Sequence, residues 1–337
     1  MSTSSVTGSA QQTTAAPEKR ARSLGVARNL GLVVALVVLC VVGLVTAGDR
    51  FASTNNIITV LSLASAIGVV AIGMTFVITG GGIDLSVGAI VALASVWAST
   101  TGTQAMAENV GWIVIVTTAI AVGIACGLIN GVLIAYGKIV PFIATLAMLA
   151  SARGLAEIIA DRKTQIIRDQ AFRDALGARP LGIPVIVYIF AVVVIAGWFL
   201  LNRTTFGRRT FAVGGNIEAA RLAGIKVQRH TVYLYALLGA TCGLAAVMLM
   251  SRTQTGSSTH GLMWELDAIA AVVIGGTLLS GGRGTVIGTL LGVLIFTTLT
   301  NVFTLNNLST SVQAVAKGVI IVVAVLLQQR LANRSNT

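Results

Sequence analysis

The feature that most constrains this chain is a succession of apolar runs, each near the length of a helix that crosses a lipid bilayer. A hydrocarbon core about 30 Å thick takes about 20 apolar residues of α-helix. Ten such runs are read, at about 30–48, 57–79, 86–100, 111–136, 141–160, 183–201, 231–251, 266–279, 286–304 and 312–328. Charged residues are only 10% of the 337, and hydrophobic residues are 55%, whereas a soluble domain carries about 25% charged. So few charges cannot cover a surface that faces water. The predicted fold is an all-α integral membrane protein of about ten transmembrane helices. The runs 86–100 and 266–279 are too short to span as straight helices at about 1.5 Å per residue, and each adjoins a glycine-rich stretch. They are expected to be broken or re-entrant helices, the elements on which transporters build binding sites.

The polar segments set the organisation. Residues 1–29, rich in Ser, Thr, Ala and Gln with Lys19, Arg20, Arg22 and Arg28 near the end, read as a disordered cytoplasmic tail. The apolar run that follows is too long for the core of a cleaved signal peptide. Residues 30–328 form the membrane domain, with a polar cytoplasmic loop at 202–230, and 329–337 a cytoplasmic C-terminal tail. Lys and Arg number 14 on the side of the N-terminal tail and 8 on the other, so both termini are expected in the cytoplasm. The outer loop 161–182, with Asp161, Asp169 and Asp174, reads as a folded polar segment. The net charge of +12 lies in short gaps between apolar runs, which is orientation chemistry and not a nucleic-acid footprint.

The chain repeats itself. Ala66–Thr75 reads AIGVVAIGMT and Ala268–Thr277 reads AIAAVVIGGT, identical at six of ten positions, and each is followed by a glycine turn, GGGIDLSVG at 80–88 and SGGRGTVIG at 280–288. The spans between the copies allow a parallel or an inverted repeat, depending on whether a short segment is re-entrant. Glycine supplies 37 of 337 residues, above the usual 7% or so. Gly123, Gly127 and Gly131 form one small-residue face, Gly284, Gly288 and Gly292 a second, and Gly239 with Gly243 a third. Such faces let helix backbones approach where lipid gives no hydrophobic drive, either within one chain or along a homodimer seam.

Several chemistries are excluded. Cys40, Cys126 and Cys242 are scattered through apolar runs, without disulfide or zinc spacing. Two histidines, His230 and His260, make no HExxH or catalytic triad, and no GxxxxGK[ST] phosphate loop occurs. No metal, cofactor or catalytic residue is expected. The ionisable and polar groups at membrane depth are therefore the functional candidates. Asp84 follows three glycines and is read as a helix N-cap or as a gate, with Ser86 beside it. Asn130 lies on the glycine face, suited to an interhelical hydrogen bond or a substrate contact. Lys317 either snorkels to an interface or faces a polar cavity. Glu265 and Asp267, after Trp264, stand at the outer start of a short run, where a path entrance or a docking contact fits.

The most informative polar segment is the loop Asn202–His230. Asn216 is a good N-cap, 217–223 has helical composition, and Gly224 suits a left-handed C-cap. Glu218 complements the helix dipole with Arg221 three residues on. So short a helix needs a partner to pack on.

In this loop Glu218, Ala219, Ala220 and Gly224 resemble the EAA-xxx-G signature of ABC importer permeases, although the Ile-x-Leu-Pro ending is absent. GGGIDLSVGAIVAL at 80–93, PFIATLAMLASARG at 141–154, GGNIEAARLAGI at 214–225 and AVVIGGTLLSGGRGTVIGTLLG at 271–292 resemble, in order, the ribose-type monosaccharide importer permeases, over about 30–330. The resemblance implies a non-catalytic permease subunit in a prokaryotic plasma membrane. It implies three partners: a separate ATP-binding cassette subunit, an extracytoplasmic sugar-binding protein and a second permease copy. It also implies a coupling helix at 217–223, with Glu218 and Arg221 as charged contacts and Arg208 and Arg209 as flanking supports. The competing expectation is a secondary transporter driven by an ion gradient, which fits the spans and the repeat but not this loop. A membrane-embedded enzyme has no nucleophile and base to work with.

Overall fold

The computed structural model describes residues 17–334, with side chains described over 29–320, 322 and 323. The chain is almost wholly helical. In order the helices are α1 (Pro17–Ala47), α2 (Asp49–Ala52), α3 (Thr54–Thr79), α4 (Val87–Ala98), α5 (Thr101–Val110), α6 (Ile113–Ala135), α7 (Pro141–Ala160), α8 (Gln170–Gly177), α9 (Val185–Arg203), α10 (Thr205–Gly215), α11 (Ile217–Leu222), α12 (Val227–Thr253), α13 (Trp264–Ile274), α14 (Val286–Leu305) and α15 (Thr310–Arg334). A two-residue ladder pairs β1 (Gln165–Ile166) antiparallel with β2 (Thr255–Gly256). Among the described residues, seven helices are long and apolar enough to cross a membrane: α1 from Asn29, α3, α6, α7, α9, α12 and α14.

Each of the ten apolar runs became a helix. Pro141 starts α7 where its missing N–H is no loss. The run 266–279 is cut short, because α13 stops at Ile274 and Gly276, at φ +87, turns the chain. At the termini, α1 begins at Pro17, inside the segment expected as tail, and α15 runs on to Arg334; residues 1–16 lie outside the described set. Apolar periodicity had not indicated α5, α8 and α10. Thr100 caps α5, its hydroxyl accepting from Thr103 N at 3.3 Å. Asp169 caps α8, accepting from Phe172 N at 2.7 Å. Phe172 and Leu176 are buried, and Ser251 of α12 donates to Leu176 O at 2.8 Å. The segment 161–182 is thereby docked on the bundle.

The core is a seam between α6 and α12. An added Cβ at Gly127 would overlap the Tyr235 carbonyl oxygen and lie 3.1 Å from Gly239 Cα; one at Gly123 would lie 2.8 Å from Gly243 N. The first and third glycine faces thus meet each other within one chain. The second faces inward as well: a Cβ at Gly288 would overlap Gly275 O, and one at Gly292 would overlap Ala271 O, so α14 lies against α13. Around the seam, α4 is buried at every residue except Trp97. It needs no bilayer-spanning length because its neighbours are α6, α7 and α12.

The repeat is parallel. Ile67, half way along α3, shares a small cavity with Asp267, Ala271 and Phe296, and at the helix end Gly282 N donates to Thr79 O at 2.9 Å. The two copies therefore run side by side in one direction. Helix α14 returns antiparallel along α3, with the hydroxyls of Thr75 and Thr289 at 2.7 Å and the amides of Asn56 and Asn301 bonded to each other at 3.1 and 2.7 Å.

Overpacking a close-packed seam costs about 1–3 kcal/mol and occasionally more. Gly127→Val should lower the yield of folded protein and its thermal midpoint in mild detergent. Gly154→Ala, with nothing within 4 Å of its added Cβ, should leave both unchanged.

Candidate functional site

The strap 254–263 descends the full length of α4. Gly256 packs on Ser99 at the C-terminal end of α4, and Gly261 lies against Gly88 at the other, where an added Cβ would sit 2.6 Å from Gly88 O. Between them His260 Nδ1 and Ser95 Oγ are 3.1 Å apart. Arg153 of α7 pins the strap by donating to the carbonyls of Ser258 and, at 2.9 Å, His260. Helix α13 then starts level with the first turn of α4, and the Glu265 carboxylate reaches Gly88: a Cβ there would lie 2.8 Å from Oε2. Two half-length helices thus begin at the same depth, half way through the bundle. Non-helical backbone at that depth is tolerated only where protein surrounds it or where it lines a cavity.

Below this crossing, Asp84, Ser86 and Asn130 form one buried cluster. Asp84 Oδ1 accepts from Ser86 N at 2.7 Å and from Ser86 Oγ at 2.5 Å. Asn130 Nδ2 donates to Asp84 Oδ2 at 3.3 Å and to Ser86 Oγ at 3.0 Å, and Tyr235 OH donates to Ile83 O at 3.0 Å. The N-cap position of α4 belongs to Ser86, so the expected N-cap at Asp84 is corrected: its carboxylate folds the turn ahead of the helix. That turn is tied to α6 and α12, and all three side chains are at most 1% exposed.

Lys317 has a partner on α13. It pairs with Asp267 at 2.9 and 3.1 Å, both side chains 19% exposed, and so ties α15 to α13.

The 202–230 loop holds two helices where one was expected. Helix α10 has poor propensity, with Gly207, Gly214 and Gly215, and is held by packing instead. Thr210 Oγ1 lies 3.0 Å from His230 Nε2, and the Phe206 ring sits 4.8 Å from the His230 ring and 6.1 Å from that of Phe76. Asn216 caps α11, accepting from Ala219 N at 3.0 Å. The helix ends one residue earlier than expected, in a Schellman turn: Ile225 N donates to Ala220 O at 3.1 Å, Gly224 N to Arg221 O at 3.0 Å, and Gly224 has φ +80. Ala220 is the residue that docks α11, packing with Val213, Val227 and Ile225. Ala219, Arg208 and Arg209 are exposed. Glu218 and Arg221 are exposed too, and bond to each other at 2.9 and 3.0 Å. Leu222, absent from the sequence candidates, is 89% exposed and Ile217 is 48% exposed. An apolar residue on the solvent side of a short polar helix was the available signal.

A bundle of long apolar helices, with two half-length helices meeting at mid-depth and a docked polar loop at one end, has the architecture of a multi-pass membrane permease. The chain belongs to the family described as branched-chain amino acid transport system permease component, which matches residues 56–326. The ribose import permease of Bacillus subtilis strain 168 is 42% identical over 315 residues, 93% of this chain and 96% of that protein. The ribose import permease of Escherichia coli K12 is 38% identical over 304 residues, 89% and 92% of the two chains. The L-arabinose ABC transporter permease of Azospirillum brasilense is 38% identical over 304 residues, 90% and 88%. No solved structure matches.

Removing one partner of this partly buried ion pair leaves the other charge uncompensated, at a cost of about 1–3 kcal/mol, between the exposed and the fully buried cases. Asp267→Asn and Lys317→Met should each lower the thermal midpoint, and the double variant should recover part of the loss. Midpoints of the four proteins, closed as a double-mutant cycle, check this.

Proposed function

We propose that the chain is the membrane-spanning permease subunit of an ABC importer for a monosaccharide, ribose or a similar pentose or hexose, in a bacterial inner membrane. The observation that carries this is the near full-length likeness to ribose and arabinose import permeases. The subunit itself catalyses nothing: a separate ATP-binding cassette subunit supplies the energy, an extracytoplasmic sugar-binding protein delivers the sugar, and a second permease copy completes the pathway. Residues 202–230 and both termini face the cytoplasm, in keeping with the excess of Lys and Arg at that end.

In this reading α11 is the coupling helix. Its inner side, Ala220, is fixed to α10 and α12 through Val213 and Val227, so a push on α11 moves the base of the bundle with it. Its outer side offers Ile217 and Leu222 as apolar anchors. Glu218 and Arg221 already satisfy each other, and an exposed pair contributes only about 0–1 kcal/mol. They therefore orient the contact, with Arg208 and Arg209 beside them, while burial of Leu222 supplies about 1.5–3 kcal/mol. On the opposite side of the bundle, the strap, Glu265 and Asp267 border the route to the mid-depth crossing. Asp84, Ser86 and Asn130 hold the turn below it.

Leu222→Asp should deplete the ATP-binding subunit that co-purifies from native membranes at least tenfold while the permease yield is unchanged, with Glu218→Arg showing a smaller loss. Uptake of labelled ribose or arabinose in cells should survive collapse of the ion gradient with ATP preserved. Uptake abolished by that collapse, with no ATP-binding subunit in the purified sample, would instead establish the ion-coupled alternative.

A further inference from the structure

Three glycine-rich segments meet at one point. Gly214, in the last turn of α10, is wedged against the end of α3 and the second glycine turn: an added Cβ would overlap Thr79 O and lie 2.6 Å from Gly282 N. Gly281, at φ +83, packs on Gly81, at φ +84; a Cβ on Gly281 would lie 2.9 Å from Gly81 Cα and 2.7 Å from Gly214 O. Gly282, at φ +72, lies against Gly215, where its Cβ would sit 2.8 Å from Gly215 Cα. The hydrogen bond from Gly282 N to Thr79 O, 2.9 Å, closes the contact. No side chain cushions these backbones.

The three segments also lead to three different places. Residues 80–82 feed the turn held by Asp84 and then α4. Residues 281–282 feed Thr285, which caps α14 by accepting from Gly288 N at 3.3 Å. Residues 214–215 run directly into Asn216, the cap of α11. We propose that this junction is the relay between the coupling helix and the transport path, with Gly214 as its positioning residue. A displacement of α11 reaches both glycine turns of the repeat at once, because backbone in contact with backbone has no rotamer to absorb the motion. One push thus moves the starts of α4 and α14 together.

This rests on the coupling role proposed for α11, and neighbouring glycines separate the two ideas. Gly214→Ala forces the junction open. Gly215→Ala leaves it intact, since the nearest atom to its added Cβ is Gly282 Cα at 4.0 Å. In the full importer reconstituted with its ATP-binding subunit and binding protein, Gly214→Ala should cut labelled sugar imported per ATP hydrolysed at least tenfold. ATP-binding subunit content should stay normal, and Gly215→Ala should match wild type. A wild-type ratio for Gly214→Ala overturns the relay. Should that variant fail to assemble, hydrogen exchange on the wild-type complex with and without a non-hydrolysable ATP analogue decides. The relay requires peptides covering 78–86 and 276–286 to change together with 205–223. A change confined to 205–223 refutes the relay alone; no change in 205–223 refutes the coupling role beneath it.

Discussion

The contact on which this protein depends is the approach of α6 to α12 without side chains between them. Lipid tails are as apolar as leucine, so burial of apolar surface cannot hold two membrane helices together; close packing and interhelical hydrogen bonds must do it. Gly123, Gly127 and Gly131 let the backbones of α12 come within reach. The seam then presents Asn130 and Tyr235 side by side, and those two residues bind the turn 83–86. That turn sets where α4 begins. The strap 254–263, and with it the start of α13, is laid along α4. Loosening the first seam would misplace every later element.

Much of this order was legible in the sequence. Apolar runs gave the helices because a bilayer imposes a length, and glycine spacing gave faces because a helix repeats every 3.6 residues. Which face meets which was not legible, since small residues carry no mark of their partner. Helix α10 was missed because its glycines and Thr210 argue against a helix, and contacts distant in sequence, those with His230 and Phe76 among them, hold it. The N-cap alternative for Asp84 was off by two residues, since the motif that caps a helix and the one that folds the preceding turn use the same side chain.

The repeat shows what separates a pattern from its use. Both copies place a helix, a glycine turn and a second helix in the same order, yet α3 is full length and α13 is half length. The shortening is made possible by the strap, which occupies the missing half against α4. Duplication supplied two similar turns, and their parallel arrangement brought them into contact at Thr79 and Gly282.

The charged groups at depth bear on the energy source. Asp84 accepts from Ser86 twice and from Asn130; Asp267 is neutralised by Lys317; Arg153 is taken up by two carbonyls. Each has a partner that stabilises its place in the fold, and a carboxylate that carries a coupling ion must instead exchange partners during every cycle. These three groups are committed to the fold, in keeping with the ATP-driven reading proposed above. In the proposed reading the driving force arrives at α11, which is short, capped at both ends and packed through Ala220 onto the helix that ends in the glycine junction.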